Sequence, residues 1–350
     1  MENISVLEAK YEAQKIAFGP IAFQAVNSLI KIGALDLIHQ SRKGISDEDI
    51  SKKTGISIYG IKVLLDLARF MKVVLLENNK NKISKIGYFL IKDKLTTINF
   101  NFVNDVCYEG AFYLEDSIRE EKPIGLHKAF GQWDTIYEAL SELPENIRKS
   151  WFDFDHYYSD TSFDSALKIV FKNNPKKIMD IGGNTGKWSL KCTSHNNDVE
   201  MTIVDLPGQI STAKKNILNK TGADRISFYP QNLLSDEISL PGEHDIIWMS
   251  QFLDCFSEKE IIKILKAVKT AMSANTKVMI METFVDCQKY PAAEFSLHNT
   301  SLYFTFIANG NSRMYPLSSF SKLIEKAGLV ISKTHDEVGV SHTILECSLP

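Results

Sequence analysis

Apolar side chains in the first third of the chain return at helical spacing. Ile16, Phe18, Ile21, Ala22, Val26, Leu29 and Ile30 form one such series that continues to Gly33, and the spacing predicts a single amphipathic helix there. Ser46 and Asp49 are placed as a capping box ahead of the next helix. That helix leads through Thr54-Gly55 into a second one over Ile58–Phe70. Val73 to Leu76 and Lys82 to Ser84 then predict two short strands around Asn78-Asn79. Helix, turn, helix, hairpin is the order of a winged helix.

Winged helices often bind DNA, and the second helix should then carry polar, base-reading residues. Here it reads Ile58, Ile61, Val63, Leu64, Leu65, Leu67 and Phe70, with only Lys62 and Arg69 positive. A helix so apolar asks for burial, and a packing or dimerisation role is expected ahead of nucleic-acid binding. Residues 101 to 165 are again helical, broken at Pro123 and Pro144. They hold an aromatic cluster, Trp151, Phe152, Phe154, His156, Tyr157 and Tyr158. Two readings stand side by side. The aromatic face packs on a neighbouring domain, or it walls a flat pocket through Trp151 and Tyr157.

From Pro175 the pattern changes to short apolar runs alternating with helical stretches, which predicts an α/β doubly wound sheet. The expected strands are Lys177 to Ile181, Glu200 to Asp205, Ile226 to Tyr229, Asp245 to Met249 and Lys277 to Glu282. A helix should start at Lys187, and others run Gln209 to Leu218, Glu258 to Met272 and near Ser318 to Ala327. Leu329 to Lys333 and His342 to Cys347 follow, joined too closely for a parallel crossover, so an antiparallel hairpin is expected.

At 350 residues the chain calls for more than one domain. The patterning divides it into a helical 1–100, a helical 101–165 and an α/β 166–350. Apolar residues at 44% and charged residues at 24% fit a globular core, and a net charge of −3 supplies no field that demands nucleic acid or an anionic membrane. Glu2, Glu8, Lys10, Glu12 and Lys15 interrupt the amino-terminal apolar residues, so no signal peptide is expected, and nowhere do about 18 apolar residues run together. Five scattered cysteines without CxxC spacing point away from disulfides and structural metal, toward a reducing cytoplasm.

The first α/β strand ends in Asp180-Ile181-Gly182-Gly183-Asn184-Thr185-Gly186. Glycines at such a strand-to-helix turn let backbone approach a ligand closely. A dinucleotide fingerprint would need glycine at 184 and 187, where Asn and Lys stand. The loop suits instead a nucleoside with an amino-acid tail, with Asp180 available to the tail's ammonium. Asp205 ends the second strand, where a carboxylate can accept from both ribose hydroxyls, although a lone Asp there also serves as a cap. Asn232 and Leu233 follow the third strand, where adenine is read by one polar and one apolar side chain.

These pieces, in this order, resemble the two-domain small-molecule O-methyltransferases that include the plant caffeate, acetylserotonin and bacterial polyketide enzymes. The resemblance rests on Asp180 to Gly186, Asp205-Leu206-Pro207, Asn232-Leu233, Met249 to Glu258, Met281-Glu282 and His342 to Glu346. It implies a Rossmann-like methyltransferase sheet behind an N-terminal helical winged-helix dimerisation domain, S-adenosyl-L-methionine as cofactor, a homodimer, and a small aromatic acceptor from secondary metabolism. It places Asp180, Gly182, Gly183, Asp205, Leu206, Asn232, Leu233, Ser250 and Gln251 at the cofactor. It also sets Tyr303, Phe304 and Phe306 along the acceptor pocket, with Trp151 and Tyr157 opposite.

One departure bears on the chemistry. After the fourth strand the family carries His-Asp followed by Trp, the His acting as general base; this chain has Asp254, Cys255 and Phe256. Glu282 matches the carboxylate that orients that base, and the second family carboxylate has no counterpart around Tyr315 to Ser318. Asp254 is then itself the base, with its pKa raised by burial and Glu282. Alternatively, positioning alone carries the transfer, or the attacked atom is a ring carbon ortho to a phenol. Asp254 as a mere helix cap is the bland alternative, and His156 and His298 are spare bases. A non-methylating enzyme on the same fold is the rival class.

Overall fold

The structure, a computed structural model, describes residues 4–350. The chain divides into two compact units, one ending at Asn101 and one running Phe102–Pro350. In the first, the helix expected through Ile16 to Gly33 is two helices, Val6–Ala17 and Gly19–Lys31. Phe18 leaves helical geometry, and Pro20 sits in the first turn of the second helix, where its missing N–H costs nothing. Val6–Ala17 buries none of its residues. The Ser46 hydroxyl accepts the Asp49 N–H (3.1 Å) but donates to the Asp49 carboxylate (2.7 Å), so only half of the expected capping box forms.

Helix Ile58–Phe70 turns Ile61, Leu65 and Ala68 inward and leaves Tyr59, Val63 and Phe70 exposed. Strands β1 (Val74–Glu77) and β2 (Lys80–Ile83) pair antiparallel across Asn78 and Asn79, both at positive φ, as a two-residue hairpin turn requires. The unit closes on Leu29, Leu35, Ile38, Ile50, Ile61 and Leu65.

The second unit is built on seven strands: β3 (Lys177–Ile181), β4 (Glu200–Asp205), β5 (Ile226–Pro230), β6 (Ile246–Ser250), β7 (Lys277–Glu282), β8 (Val330–Val338) and β9 (His342–Ser348). They lie in the order β5-β4-β3-β6-β7-β9-β8. The first five named in that order are parallel, β9 runs antiparallel to β7, and β8 and β9 form the expected antiparallel hairpin. β8 extends beyond its apolar start because two bulges let it keep pairing through His335 to Val338.

Side-chain alternation divides the core between the sheet's two faces. Met179, Ile181, Ile247 and Met249 pack one way, against helices Glu258–Thr270 and Leu317–Lys326. Ile178, Trp248 and Met279 pack the other way, against Phe163–Val170, Lys187–His195 and Pro207–Ile217. The strand order reverses between β3 and β6, and a doubly wound sheet opens its crevice at the carboxyl ends of such a pair. Among the described residues no single helix is long and apolar enough to cross a membrane, and no group of His, Cys, Asp and Glu could hold a metal ion.

Candidate active site

The loop after β3 is shaped by three residues at positive φ: Gly182, Asn184 and Gly186. A Cβ on Gly182 would lie 2.3 Å from the Phe252 ring, and one on Gly183 would lie 2.8 Å from Ile203. Both positions therefore need glycine so that the loop can pack this closely on Phe252 and Ile203. Asp180 shares a sheet face with Ile178, so it points toward helix Lys187–His195, where it accepts the Ser189 hydroxyl at 2.6 Å. Burial pushes its carboxyl up to about 7, partly opposed by that bond.

Asp205 ties two loops together. Its Oδ2 accepts the Asn184 N–H (2.9 Å) and its Oδ1 the Leu206 N–H (2.7 Å). Each carboxylate oxygen retains a further lone pair for a ligand hydroxyl. Burial lifts Asp205 to about 6 against both bonds. Leu206, Asn232 and Leu233 line the same cleft of about 390 Å³, with Asn232 Oδ1 taking the Leu234 N–H at 2.8 Å. Ser250 ends β6 and Gln251 follows it, and Ser250 Oγ and Gln251 Oε1 are buried without a partner among the described residues. The close-packed glycine turn, the Asp205 carboxylate with its spare lone pairs and the unpartnered polar atoms together fit a nucleoside carrying a polar tail.

Gln251 has φ of 46°, in the left-handed region that a bulky residue enters only when its surroundings enforce it. This kink turns the next two N–H groups toward β7, and Glu282 Oε1 accepts both, from Phe252 at 3.1 Å and Leu253 at 2.9 Å. Asp254 follows in a 3-10 turn, 6% exposed. It does not cap the next helix: Ser257 does, in a full capping box with Glu260. The Tyr137 hydroxyl donates to the Cys255 thiol (3.0 Å), which donates to Asp254 Oδ1 (3.4 Å). Burial raises the Asp254 carboxyl to about 6, restrained by the thiol and by loop N–H groups. Glu282 is pushed higher, by burial and then by the charge on Asp254. Both carboxyls are thus raised by burial, and the charge on Asp254 raises Glu282 further.

Beside Asp254 lies a cavity of about 60 Å³ walled by Tyr137, Trp151, Phe154, Tyr158, Tyr303 and Phe304. It shares Tyr137, Trp151, Asp155, Gln251 and Cys255 with the cleft, so the two are contiguous. Trp151 Nε1 donates to Tyr303 Oη at 2.7 Å, which leaves the Tyr303 hydroxyl proton for another acceptor. π-Helical turns at Val103–Cys107 and Phe304–Ala308 contribute to the packing around this cavity.

The site thus gathers Asp180, Gly182, Gly183, Asp205, Leu206, Asn232, Leu233, Ser250, Gln251, Asp254, Trp151 and Tyr303 on continuous walls, with Glu282 directly behind. Tyr157 and Phe306 are not on them. Trp151, Phe154, Asp155 and Tyr158 follow the i, i+3, i+4, i+7 rhythm of one helix face, and Tyr157 falls off it. Phe306 lies within the π-turn, which shifts the phase, and is packed in the core while Phe304 faces the cavity. His298 is exposed beside Glu294, away from the chemistry, and His156 lines the tail end with burial lowering its pKa. Asp155 and Tyr137 were not expected at the site. Helical spacing from Trp151 is the signal that finds Asp155.

A family model described as an O-methyltransferase domain matches residues 112–330, and one described as a Dimerisation2-like domain matches residues 10–81. The chain is 21% identical to the L-tyrosine C(3)-methyltransferase of Streptomyces lavendulae, over 89% of this chain and 85% of that one. It is 24% identical to the acetylserotonin O-methyltransferase of Gallus gallus, over 78% and 79%. The crystal structure of human N-acetylserotonin methyltransferase in complex with S-adenosylmethionine has the same fold, with a TM-score of 0.69 at 16% identity, covering 100% of this chain and 99% of that one.

Proposed function

The chain belongs to the O-methyltransferase domain family, and we propose that it methylates a small hydroxylated aromatic with Asp254 as the general base. It is an S-adenosylmethionine-dependent methyltransferase. The observation that carries the proposal is the placement of Asp254 on the wall of an aromatic cavity contiguous with the nucleoside cleft, on a turn that Glu282 fixes from behind.

The cofactor, when bound, supplies an electrophilic methyl group on a sulfonium. Asp205 would hold the ribose hydroxyls, Leu206, Asn232 and Leu233 would take the adenosine end, and the Gly182–Gly183 turn would lie against the cofactor. Ser250, Gln251 and Asp180 would serve the amino-acid tail. The acceptor ring would lie against Trp151 and Tyr303, and Asp254 would take the proton of the acceptor hydroxyl. Glu282 positions Asp254 by fixing the N–H groups of the two residues before it.

Ring carbon is the second reading for the attacked atom. Asp155 and Asp254 face one cavity, and transfer to carbon requires a ring proton to leave as well as the hydroxyl proton. A methyl-labelled cofactor incubated with a panel of phenols tests the proposal. Label should appear in product, on oxygen or ring carbon by NMR; an enzyme that consumes substrate without moving label is not a transferase.

The N-terminal unit supports a homodimer through its own surface. Helix Val6–Ala17 buries nothing in its own chain, and Leu7, Ile16, Tyr59 and Phe70 are exposed. Its two cations on helix Ile58–Phe70 face acidic partners, Arg69 with Asp47 and Lys62 with Glu48, which favours a winged helix used for pairing over one used on DNA. Light scattering at micromolar concentration should give twice the chain mass; a monomer mass would remove this part. The five unpaired thiols suit a reducing cytoplasm.

A further inference from the structure

The acceptor cavity is lined by two carboxylates, Asp155 and Asp254, and the adjoining cleft adds Asp134, Glu138, Asp205 and Glu260. Among the described residues no Lys, Arg or His lines either space. An acceptor bearing its own carboxylate would enter this field with no counter-ion, and like charges in a poorly solvated site repel strongly.

Three of these six carboxylates have work within the protein. Asp205 holds two backbone N–H groups, Glu260 completes a helix cap, and Asp254 takes the Cys255 thiol. Asp155 differs. Among the described residues its carboxylate meets only Asn184 Nδ2, at 3.5 Å, and the neighbouring His156, at 3.9 Å. The nearby Lys187 is engaged by Asp160 at 2.8 Å. The side chain of Asp155 keeps 30% exposure, yet that surface looks into the cleft, where burial and the charge of Asp254 both disfavour its ionised form.

The surroundings indicate what completes it. Asp155 stands one helical turn from Trp151 and beside Phe154 and Tyr158, so aromatic rings surround the carboxylate. Such rings attract a cation through their faces. Gln251 Oε1, on the same wall, has no donor among the described residues; with two lone pairs it can serve both the cofactor's tail and a protonated amine that also donates to Asp155. The cavity of about 60 Å³ is smaller than the roughly 150 Å³ that admits benzene, so an acceptor ring must also use the shared mouth, where Asp155 sits.

We infer that Asp155 is a specificity residue that binds a protonated amine on the acceptor, so that the enzyme selects hydroxylated aromatic amines over phenolic acids and neutral phenols. This rests on the acceptor-site reading above. The sulfonium of the cofactor is also a cation, and the experiment separates the two.

Three para-substituted phenols serve as probes: tyramine, 4-ethylphenol and 3-(4-hydroxyphenyl)propionate, titrated calorimetrically into enzyme loaded with S-adenosylhomocysteine. Tyramine should bind about tenfold or more tighter than 4-ethylphenol, and the propionate weakest, the scale of one charged hydrogen bond. Asp155→Asn should abolish the preference and leave 4-ethylphenol within about twofold of the wild type, while Asp155→Glu should retain it. Equal binding of the three probes, no binding of any, or a preference that survives Asp155→Asn would overturn the inference. So would a variant that weakens S-adenosylmethionine relative to S-adenosylhomocysteine and keeps the phenol ranking, because the cation would then be the sulfonium. Binding of S-adenosylhomocysteine by every variant reports that the fold and the cofactor reading stand; its loss in the wild type would count against that reading instead.

Discussion

The two ends of the crevice are made of different material. The cofactor end is backbone and strand termini: the Gly182 turn, the Asp205 carboxylate tying Asn184 to Leu206, and the kink at Gln251. The acceptor end is side chains from elements far apart in sequence, Tyr137, Trp151, Asp155, Tyr303 and Met314 among them. A ligand of fixed shape can be met by a fixed loop. A variable acceptor is met by whichever side chains several helices turn toward one place. Changes at the first end should act on binding of one molecule, and changes at the second on chemistry and choice.

The largest effect tests that division where the ends meet. Asp254→Asn should lower turnover by about 10²–10⁴, the usual contribution of a general base. Calorimetric affinity for S-adenosylhomocysteine should stay put, and the acidic limb of the pH–rate profile near pH 6 should vanish. An unchanged rate would move proton transfer elsewhere. Next is Asp205→Ala, which should weaken S-adenosylmethionine by about 1.5–3 kcal/mol, or roughly 10–150-fold, for the loss of a charged hydrogen bond. Phenol binding to whatever enzyme remains loaded should not follow it down; if it did, the two ends would not be separable.

Smaller again is Tyr303→Phe. Trp151 Nε1 would lose its buried acceptor, at a cost of about 1–3 kcal/mol in denaturant stability. Cofactor affinity should be untouched, and an equal loss there would erase the distinction. The last test is a stability slope with pH. Asp155 and Asp180 stand at about 7 and Asp205 at about 6, all above the ordinary carboxyl value of 3.8. Between about pH 4 and 7 the folded protein therefore holds more protons than the unfolded chain, so stability falls as pH rises through that window. Ligand-free protein should melt higher at pH 5 than at pH 8 on account of these groups, and the reverse order would show that their charges are relieved from within.

The same division explains what the sequence made legible. β3, β4 and β7 have the bounds expected from their apolar runs, because strands buried on both faces read as short continuous apolar segments. The glycine loop and the Asp205 position are likewise local patterns at the ends of those strands. Asp155 is masked in the sequence by the aromatic residues of its helix, although it lies on the same helical face as Trp151, Phe154 and Tyr158. Phe306 lies off the cavity wall because a π-turn changes the angular step, and no spacing of apolar residues announces that. The break at Phe18 was written in Pro20, which a run of well-spaced apolar residues on both sides obscured. Tyr137 arrives from a separate helix, and only tertiary contact brings it to Cys255.

A crevice lined by carboxylates poised at about 6 and 7 holds a store of exchangeable hydrogen ions at neutral pH. A positively charged ligand entering it favours their ionised forms and drives part of that store into the solvent. The heat recorded on binding S-adenosylmethionine near pH 6.5 then includes the heat of the buffer taking up those ions. It should differ between phosphate and Tris, while the uncharged sulfur of S-adenosylhomocysteine should give a smaller difference. The enzyme would bind its substrate form of the cofactor with a steeper pH dependence than its product form, so a shift in the pH of its surroundings changes how readily the spent cofactor is exchanged for a fresh one.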